Sequence, residues 1–318
     1  MFKYPIGVQL FNRPQYARRV LQSIQNQSLD FDEQLISIYI DGFEGSIYQK
    51  RNETDFTDDV EAIAREFFPN SEIVRFRSNC GIADLHNRLQ TAVFARTAEW
   101  AAFFEEDVVL EPMYFRELGE LIKVTEAFDS IVKVGCFQII DSMSHLPRGL
   151  NGFYPGTGTK AFAERKSFFV AKQPVITKFV DIERIPGDNS DNSIRCSNLA
   201  AAGYFLPYFQ KDSLIESFLH FEEKFHVVTK PNIATDIGFE GVHNYTTSPL
   251  KASQEENSTA ISIQERRREL EESFDQIVIE SKQHIIQNYK DVLQGYHAST
   301  SRKLMLYKIL IMTFKKGL

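Results

Sequence analysis

Segments typical of β-strands alternate with segments typical of α-helices along the first 140 residues. Each strand segment is a short run of apolar, often β-branched residues that ends at a polar or turn-forming residue. The strand segments cover residues 5–11, 34–40, 72–76, 100–104 and 131–140. Between them, apolar residues recur at helical spacing, as in Ile82, Leu85 and Leu89. The alternation predicts an α/β fold with a mostly parallel central sheet flanked by helices.

Polar side chains directly follow three of these predicted strands. Asn12 and Arg13 follow the first strand, Asp41 follows the second, and an acidic triplet at 105–107 follows the fourth. In open α/β sheets, ligands bind at the carboxyl ends of the parallel strands. We therefore expect these residues to meet at one edge of the sheet.

The acidic triplet consists of Glu105, Glu106 and Asp107. Carboxylate oxygens suit Mg2+ or Mn2+, and such an ion can bridge a diphosphate and neutralise its charge as it leaves. A solvated acidic turn is the alternative, and the triplet alone leaves both open. The sequence contains neither a GxGxxG fingerprint after the first strand nor a GxxxxGK[ST] loop, which removes the main support for dinucleotide oxidoreductases and P-loop nucleotidases.

Charge, cysteine content and hydropathy argue against several other classes of protein. Lys and Arg number 36 against 43 Asp and Glu, and the net charge of −7 argues against nucleic acid as a partner. The three cysteines are widely spaced without a C-x-x-C pair, so we expect neither a disulfide framework nor a zinc site. The amino terminus lacks the apolar core of a signal peptide, and no run reaches the roughly 18 apolar residues of a membrane span. We expect a cytoplasmic protein.

The pattern changes after residue 140. Residues 141–191 are irregular and rich in Gly, Pro and Asn, so we expect them to form loops over the sheet edge. Helical patterning returns over 198–225, and a polar segment typical of a linker covers 251–259. A charged helical stretch then leads to a carboxyl-terminal tail.

The tail, residues 302–318, places basic residues around large apolar ones. Such a segment can lie in the interface of an anionic membrane, which would make the protein peripheral on the cytoplasmic membrane face. Alternatively, it forms a helix that packs on the rest of the chain or on a second copy in a homo-oligomer. The sequence leaves both interpretations open.

Four short motifs in a fixed order resemble those of the GT-A class of nucleotide-sugar glycosyltransferases. They are Ile82-Ala83, Val93-Phe94, Glu105-Glu106-Asp107 and Pro112 to Phe115, in the family's order IA, VF, EDD and P..F. The similarity is to the N-acetylglucosaminyltransferase I type and to related bacterial polysaccharide glycosyltransferases, and it covers about residues 4–245. It implies a GT-A fold, a nucleotide sugar donor and Mn2+ or Mg2+ as cofactor. Because the family's triplet reads EDD or DxD, Glu106 is a conservative departure and Asp107 is the implied metal ligand.

Two further segments, KDSLIESF and PNIATDIGFEGVHNY, extend the resemblance. Bacterial relatives carry DSW and then, after a proline, NIGFDGxGTH. Carried over, Asp212 becomes the catalytic base and His243 a second metal or diphosphate contact. Leu214 stands where the family has an aromatic residue, and Val242 where it has Gly-Thr. Rival bases on the same segment are Glu216, Glu222 and Glu223.

The resemblance also implies which residues bind the donor. Asn12 and Asp41 suit hydrogen bonds to a uracil base and its ribose, and Arg13 suits a phosphate. Asn79 and Gly81 precede a helix whose amino terminus favours an anionic group, and Gly81 permits close backbone approach. The remaining donor-binding candidates are His86, Glu105 and Glu106. The alternatives are that Asn79 is an N-cap and that His86 is a surface or packing residue.

The function implied is a metal-dependent glycosyltransferase that moves a sugar from a UDP-linked donor to a saccharide or glycolipid acceptor with inversion. The implied setting is the assembly of a surface polysaccharide, lipopolysaccharide or other glycan. A GT-A catalytic domain is expected over 1–250, with a nucleotide-sugar half over 1–140 and an acceptor half over 141–250, before a helical extension over 251–318. One alternative is a non-catalytic protein with a degenerate transferase fold that binds a nucleotide, a sugar or a protein partner. Another is a sugar-phosphate nucleotidyltransferase, whose glycine-rich basic loop after the first strand is missing here.

Overall fold

The protein has an α/β fold built on one mixed sheet. The computed structural model describes residues 1–96, 98–137, 153–156, 160–184, 192–201, 210–229, 233–238 and 263–295. The strands are β1 (Ile6–Leu10), β2 (Ile36–Ile40), β3 (Glu72–Arg75), β4 (Trp100–Glu105), β5 (Val108–Leu110), β6 (Ile131–Gly135), β7 (Phe153–Pro155), β8 (Ala161–Arg165), β9 (Phe225–Thr229) and β10 (Ala234–Asp236). The helices are α1 (Pro14–Gln25), α2 (Ile47–Lys50), α3 (Thr57–Phe67), α4 (Ile82–Ala95), α5 (Tyr114–Thr125), α6 (Lys166–Glu183), α7 (Asn192–Ala201), α8 (Lys211–Phe221) and α9 (Ile263–Gly295).

Eight strands form the sheet, in the order β3-β2-β1-β4-β8-β6-β9-β7, and β5 and β10 form a separate antiparallel ribbon. β1 lies between β2 and β4 and is parallel to both. Only β8 and β7 run against the other strands of the sheet. The predicted α/β class is thus confirmed, with its mostly parallel central sheet, flanking helices and carboxyl-terminal helix.

The described chain falls into two compact units. The first unit comprises Met1–Ala171 and Phe225–Phe274, and the second comprises Lys172–Lys224 and Asp275–Leu318. The sheet and the ribbon belong to the first unit, whereas α7 and α8 belong to the second.

The core of the first unit lies on both faces of β4, because successive side chains of a strand point to opposite faces. Phe103 packs against Leu89 and Phe94 of α4. Its neighbour Phe104 packs against Tyr114 and Phe115 of α5. The two helices therefore cover opposite faces, and β4 is buried along its whole length, as expected for a strand between two helical layers.

The structure differs from the sequence-based expectation mainly beyond residue 150. The stretch 141–191, expected to be irregular, contains β7, β8 and helix α6. β8 has only three apolar residues, and its identity as a strand depends on pairing with β4 on one side and β6 on the other. Helix α6 carries Pro174 in its interior, which masks the helical signal. The expected helix over 198–225 ends at Phe221, and its β-branched continuation forms strand β9.

Within the part of the chain that the structure describes, no helix is long and apolar enough to cross a bilayer. The predicted linker at 251–259 and the basic tail at 302–318 lie outside the described residues. Their interpretations stay predictions.

Replacing Phe103 by alanine should lower the free energy of unfolding by about 3–5 kcal/mol, because the ring is 1% exposed and its loss leaves a cavity. Urea denaturation followed by circular dichroism measures this loss. The control is Phe56→Ala, since the Phe56 ring is 41% exposed, and it should cost less than half as much. Equal losses in the two variants would contradict this placement of the core.

Candidate functional site

The acidic triplet lies at the carboxyl end of β4, in the short turn that joins β4 to β5. The backbone N–H of Glu105 donates to the carbonyl oxygen of Lys160 at 2.8 Å, which fixes the turn to the residue preceding β8. Asp107 is only 8% exposed. The alternative of a solvated acidic turn therefore does not match the structure.

Glu106 forms a partly buried ion pair with Arg13, the residue that precedes α1. The Arg13 Nε donates to Glu106 Oε1 at 2.7 Å, and the Phe11 N–H donates to Oε2 at 2.8 Å. The guanidinium also lies over the Tyr16 ring, 4.5 Å from its centroid. Burial raises the pKa of the Glu106 carboxyl, and Arg13 opposes this shift. Glu106 thus fixes Arg13 beside the site.

Asp107 shares a cation with a carboxylate from a distant part of the chain. The Lys160 Nζ lies 3.1 Å from Asp107 Oδ2 and 2.8 Å from Asp236 Oδ2. The guanidinium of Arg13 is 3.6 Å from the same Asp107 oxygen. Burial would lower the pKa of Lys160, but the two carboxylates outweigh it and raise that pKa, so the ammonium stays charged.

The residues around Asp107 fit a divalent cation. Asp107 Oδ1 is a buried acceptor with no hydrogen-bond partner among the described residues. The backbone of Gly238 approaches so closely that a Cβ there would overlap Asp107 Oδ2. Within the described ranges, no group of three His, Cys, Asp or Glu side chains forms a complete metal site. A cation here would be held by Asp107, with Asp236 beside it and donor phosphates as further ligands, as is usual for Mg2+.

Asp41 follows β2 and organises the loop before α4. Its carboxylate accepts hydrogen bonds from the backbone N–H groups of Gly42, Cys80 and Gly81 and from the Asn79 side chain, at 2.7–3.2 Å. Burial raises the pKa of Asp41, and these hydrogen bonds oppose the shift. Both oxygens are thus used within the protein, which differs from the expected contact with base or ribose. Gly81, at φ 81°, is the N-cap of α4, so the N-cap alternative for Asn79 is wrong.

Asn12 likewise bonds to its own chain rather than facing outward. Its Nδ2 donates to the carbonyl of Thr54 at 2.8 Å, and its Oδ1 accepts from the N–H of Phe56 at 2.6 Å. These bonds fix the segment around Asp55. That segment lines a groove of about 490 Å3 past the ends of β2 and β3. The groove is also lined by Phe43, Arg75, Phe76 and Arg77.

His86 is 4% exposed in the core beneath α4. Its Nδ1 lies 3.0 Å from Gln9 Oε1, and its ring lies beside those of Phe103 and Phe162. This is the placement of a packing residue rather than of a donor contact.

The candidate base and the second metal contact lie outside the described part of the first unit. Asp212 lies in the first turn of α8, in the second unit, with its side chain 51% exposed. His243 lies outside the described residues. The roles of both stay predictions.

Three residues of the site were missed by sequence reasoning. Lys160 ends the GTGTK segment, which is easily taken for an ordinary loop, and Asp236 and Gly238 flank the isoleucine of TDIGF. The one available signal was the pair of residues on either side of Ile237, a carboxylate and a glycine. The pairing of β10 with β5, which brings Asp236 opposite Val108, could not be deduced from either segment alone.

No protein-family model matches the sequence, and no curated protein sequence matches it. Among solved structures, TarS from S. aureus is similar at 12% identity and a TM-score of 0.42, over 73% of this chain but 36% of TarS. The chain therefore spans about a third of that protein's length. Residues 1–349 of TarS in complex with UDP-GlcNAc give 9% identity and a TM-score of 0.39, over 95% of this chain and 70% of the other.

A mannosyltransferase from Pyrobaculum calidifontis, in complex with GDP-Man and Mn2+, is similar at 11% identity and a TM-score of 0.42. The match covers 98% of this chain and 81% of that one. At these values the likenesses carry no argument about what this chain binds. Function is therefore argued from the site.

Removing the guanidinium in Arg13→Ala should lower the free energy of unfolding by about 1–3 kcal/mol, because the partly buried Glu106 carboxylate keeps only the hydrogen bond from the Phe11 N–H. The matched control is Arg18→Ala, which breaks an exposed pair with Glu66 and should leave the free energy of unfolding nearly unchanged. Urea denaturation of both variants measures the difference. Similar losses would show that the Arg13 pair is no better shielded from solvent than the Arg18 pair.

Proposed function

We propose that this chain is a metal-dependent glycosyltransferase that transfers a sugar from a UDP-linked donor to a saccharide or glycolipid acceptor. The observation that carries the proposal is the centre at the end of β4, where Asp107 presents a buried, unpartnered oxygen beside Lys160 and Asp236. The ordered GT-A motifs in the sequence, of which the acidic triplet is one, support the same assignment.

The charges of this centre suit a diphosphate with a metal ion. The carboxylates of the ion-paired residues Glu106, Asp107 and Asp236 outnumber their two cations, Arg13 and Lys160, and Glu105 adds a further nearby carboxylate. A bound Mn2+ or Mg2+ supplies electrostatic stabilisation of the leaving nucleoside diphosphate. Arg13, fixed by Glu106, and Lys160 are the chain's own cations within reach of the same phosphates.

The groove past β2 and β3 is the proposed place of the nucleoside. Neighbouring strands are about 4.8 Å apart, so the end of β2, two strands from β4, lies about 10 Å from the carboxylate centre along the sheet edge. This distance is comparable with the length of an extended nucleoside diphosphate. Phe43 and Phe76 offer apolar walls to the base, and Asn12 and Asp41 act as positioning residues that fix the loops around it.

Transfer with inversion needs a base for the acceptor hydroxyl. The new bond forms between the acceptor oxygen and the anomeric carbon, while the bond to the donor phosphate breaks and its electron pair leaves with the diphosphate. Asp212 is the proposed base that takes the acceptor proton. His243 is proposed as a second contact to the metal or the diphosphate, in addition to Asp107.

The finer features of the function rest on the sequence alone, either on the resemblance or on composition and patterning. They include the likeness to the N-acetylglucosaminyltransferase I type, the assembly of surface polysaccharide or lipopolysaccharide, and a cytoplasmic location. A catalytic domain over 1–250, contact of residues 302–318 with a membrane surface, and a homo-oligomer are proposals of the same kind.

The proposal predicts that a nucleoside diphosphate raises the melting temperature by several degrees in Mn2+ and not in EDTA. Ligand at about 100 times its Kd stabilises the folded state by about 2.7 kcal/mol. A panel of UDP, GDP, CDP and their sugars identifies the base. Asp107→Asn should abolish the Mn2+-dependent shift, whereas Asp129→Asn, on a fully exposed carboxylate before β6, should keep it. A weak shift that is indifferent to Mn2+ would favour the non-catalytic binding protein instead.

A second prediction concerns the base. Asp212→Asn should reduce kcat by about 10²–10⁴-fold, the usual contribution of general base catalysis, while the Mn2+-dependent binding of the donor stays unchanged. Glu216→Gln, on the same helix, is the matched control and should keep its activity. The measurement is turnover of the donor sugar with the acceptor found by screening. If Glu216→Gln loses activity and Asp212→Asn does not, the base is misassigned.

A further inference from the structure

We propose that Lys160 is an internal cation that bridges Asp107 and Asp236 in the metal-free protein, and that a divalent cation displaces its ammonium when it binds. The inference rests on the proposed function, because that function supplies the metal. Its test, however, measures metal binding alone. The inference gives Lys160 a regulatory role: its ammonium neutralises the two carboxylates and competes with the metal for them.

The two carboxylates are held in place independently of Lys160. Asp236 ends β10 and lies opposite Val108 of β5, the residue after Asp107. The N–H of Ile237 donates to the carbonyl oxygen of Asp107 at 2.8 Å, and the N–H of Gly238 donates to Asp236 Oδ1 at 2.8 Å. The spacing of the two acids is thus set by a backbone ribbon.

Lys160, in contrast, reaches the site through a flexible side chain. Its backbone is fixed by the hydrogen bond from Glu105, but its ammonium is carried on a four-carbon stem with three rotatable donors. The ammonium can therefore leave the bridge while the carboxylates remain.

The ammonium and a divalent cation cannot share these oxygens. Lys160 Nζ occupies one oxygen of each carboxylate within 3.1 Å, where two positive centres would repel strongly at low dielectric. Asp107 Oδ1, the buried oxygen without a partner, is the acceptor that remains open to the incoming ion. Metal binding at Asp107 and Asp236 consequently requires Lys160 to move.

A diphosphate would give the displaced ammonium new partners. Without nucleotide, the divalent cation must break the Lys160 bridge, and the displaced ammonium gains no new anionic partner. With nucleotide, the phosphates accept the ammonium as the metal binds. We therefore expect Mn2+ and nucleoside diphosphate to strengthen each other's binding, a coupling that is reciprocal by thermodynamic necessity.

The test is Mn2+ binding to the full chain without nucleotide, measured by electron paramagnetic resonance of the free ion. Lys160→Met should bind Mn2+ about tenfold more tightly than wild type, equivalent to about 1.4 kcal/mol. Lys160→Arg keeps the charge and should resemble wild type. Asp236→Asn in the Lys160→Met background should lose the gain. The matched control is Lys3→Met, an exposed lysine before β1, which should change nothing.

If Lys160→Met does not fold alone, Mn2+ should restore its cooperative thermal unfolding followed by circular dichroism. Equal or weaker Mn2+ binding in Lys160→Met, absence of binding from both proteins, or failure of Mn2+ to restore folding would overturn the inference. The proposed function fails separately. If the wild-type protein neither binds a nucleotide nor transfers a sugar, the proposed function is wrong. Tighter Mn2+ binding by Lys160→Met would still support the inference about Lys160.

Discussion

The neutralisation of buried carboxylates at the end of β4 is the constraint on which the candidate site depends. Glu106, Asp107 and Asp236 lie within one small region, and each is paired with Arg13, Lys160 or both. Buried charges persist only where they are paired and hydrogen-bonded. The two cations therefore make the acidic turn compatible with folding, and they also supply positive charge where a diphosphate would bind.

The sheet brings these charges together from distant parts of the sequence. Arg13 follows β1, the acidic turn follows β4, Lys160 precedes β8, and Asp236 ends β10. Because β4 lies between parallel β1 and antiparallel β8, the end of β1 and the start of β8 meet the same edge as the end of β4. Because β8 is antiparallel to β4, the residue before β8, Lys160, lies at the edge where a parallel strand would have its carboxyl end.

The sequence predicted the parallel half of the sheet and the polar residues at its edge. Each strand there is an apolar run that is followed directly by polar residues. The sequence also predicted that Arg13 and the acidic triplet would meet. It could not predict β8, β9 or the role of Lys160, because these depend on strand pairing between segments far apart. It did not reveal that Asn12, Asp41 and His86 have partners within the chain, since residue type and position near a strand end do not show which partner a polar group has.

The most direct test of the account is a crystal structure of the protein with Mn2+ and UDP, with data collected for the anomalous signal of manganese. The account predicts an anomalous peak at Asp107, the diphosphate beside Arg13, and the Lys160 ammonium moved from Asp107 to a phosphate. A structure in which UDP is bound, Lys160 still bridges Asp107 and Asp236, and manganese is absent from both carboxylates would contradict it.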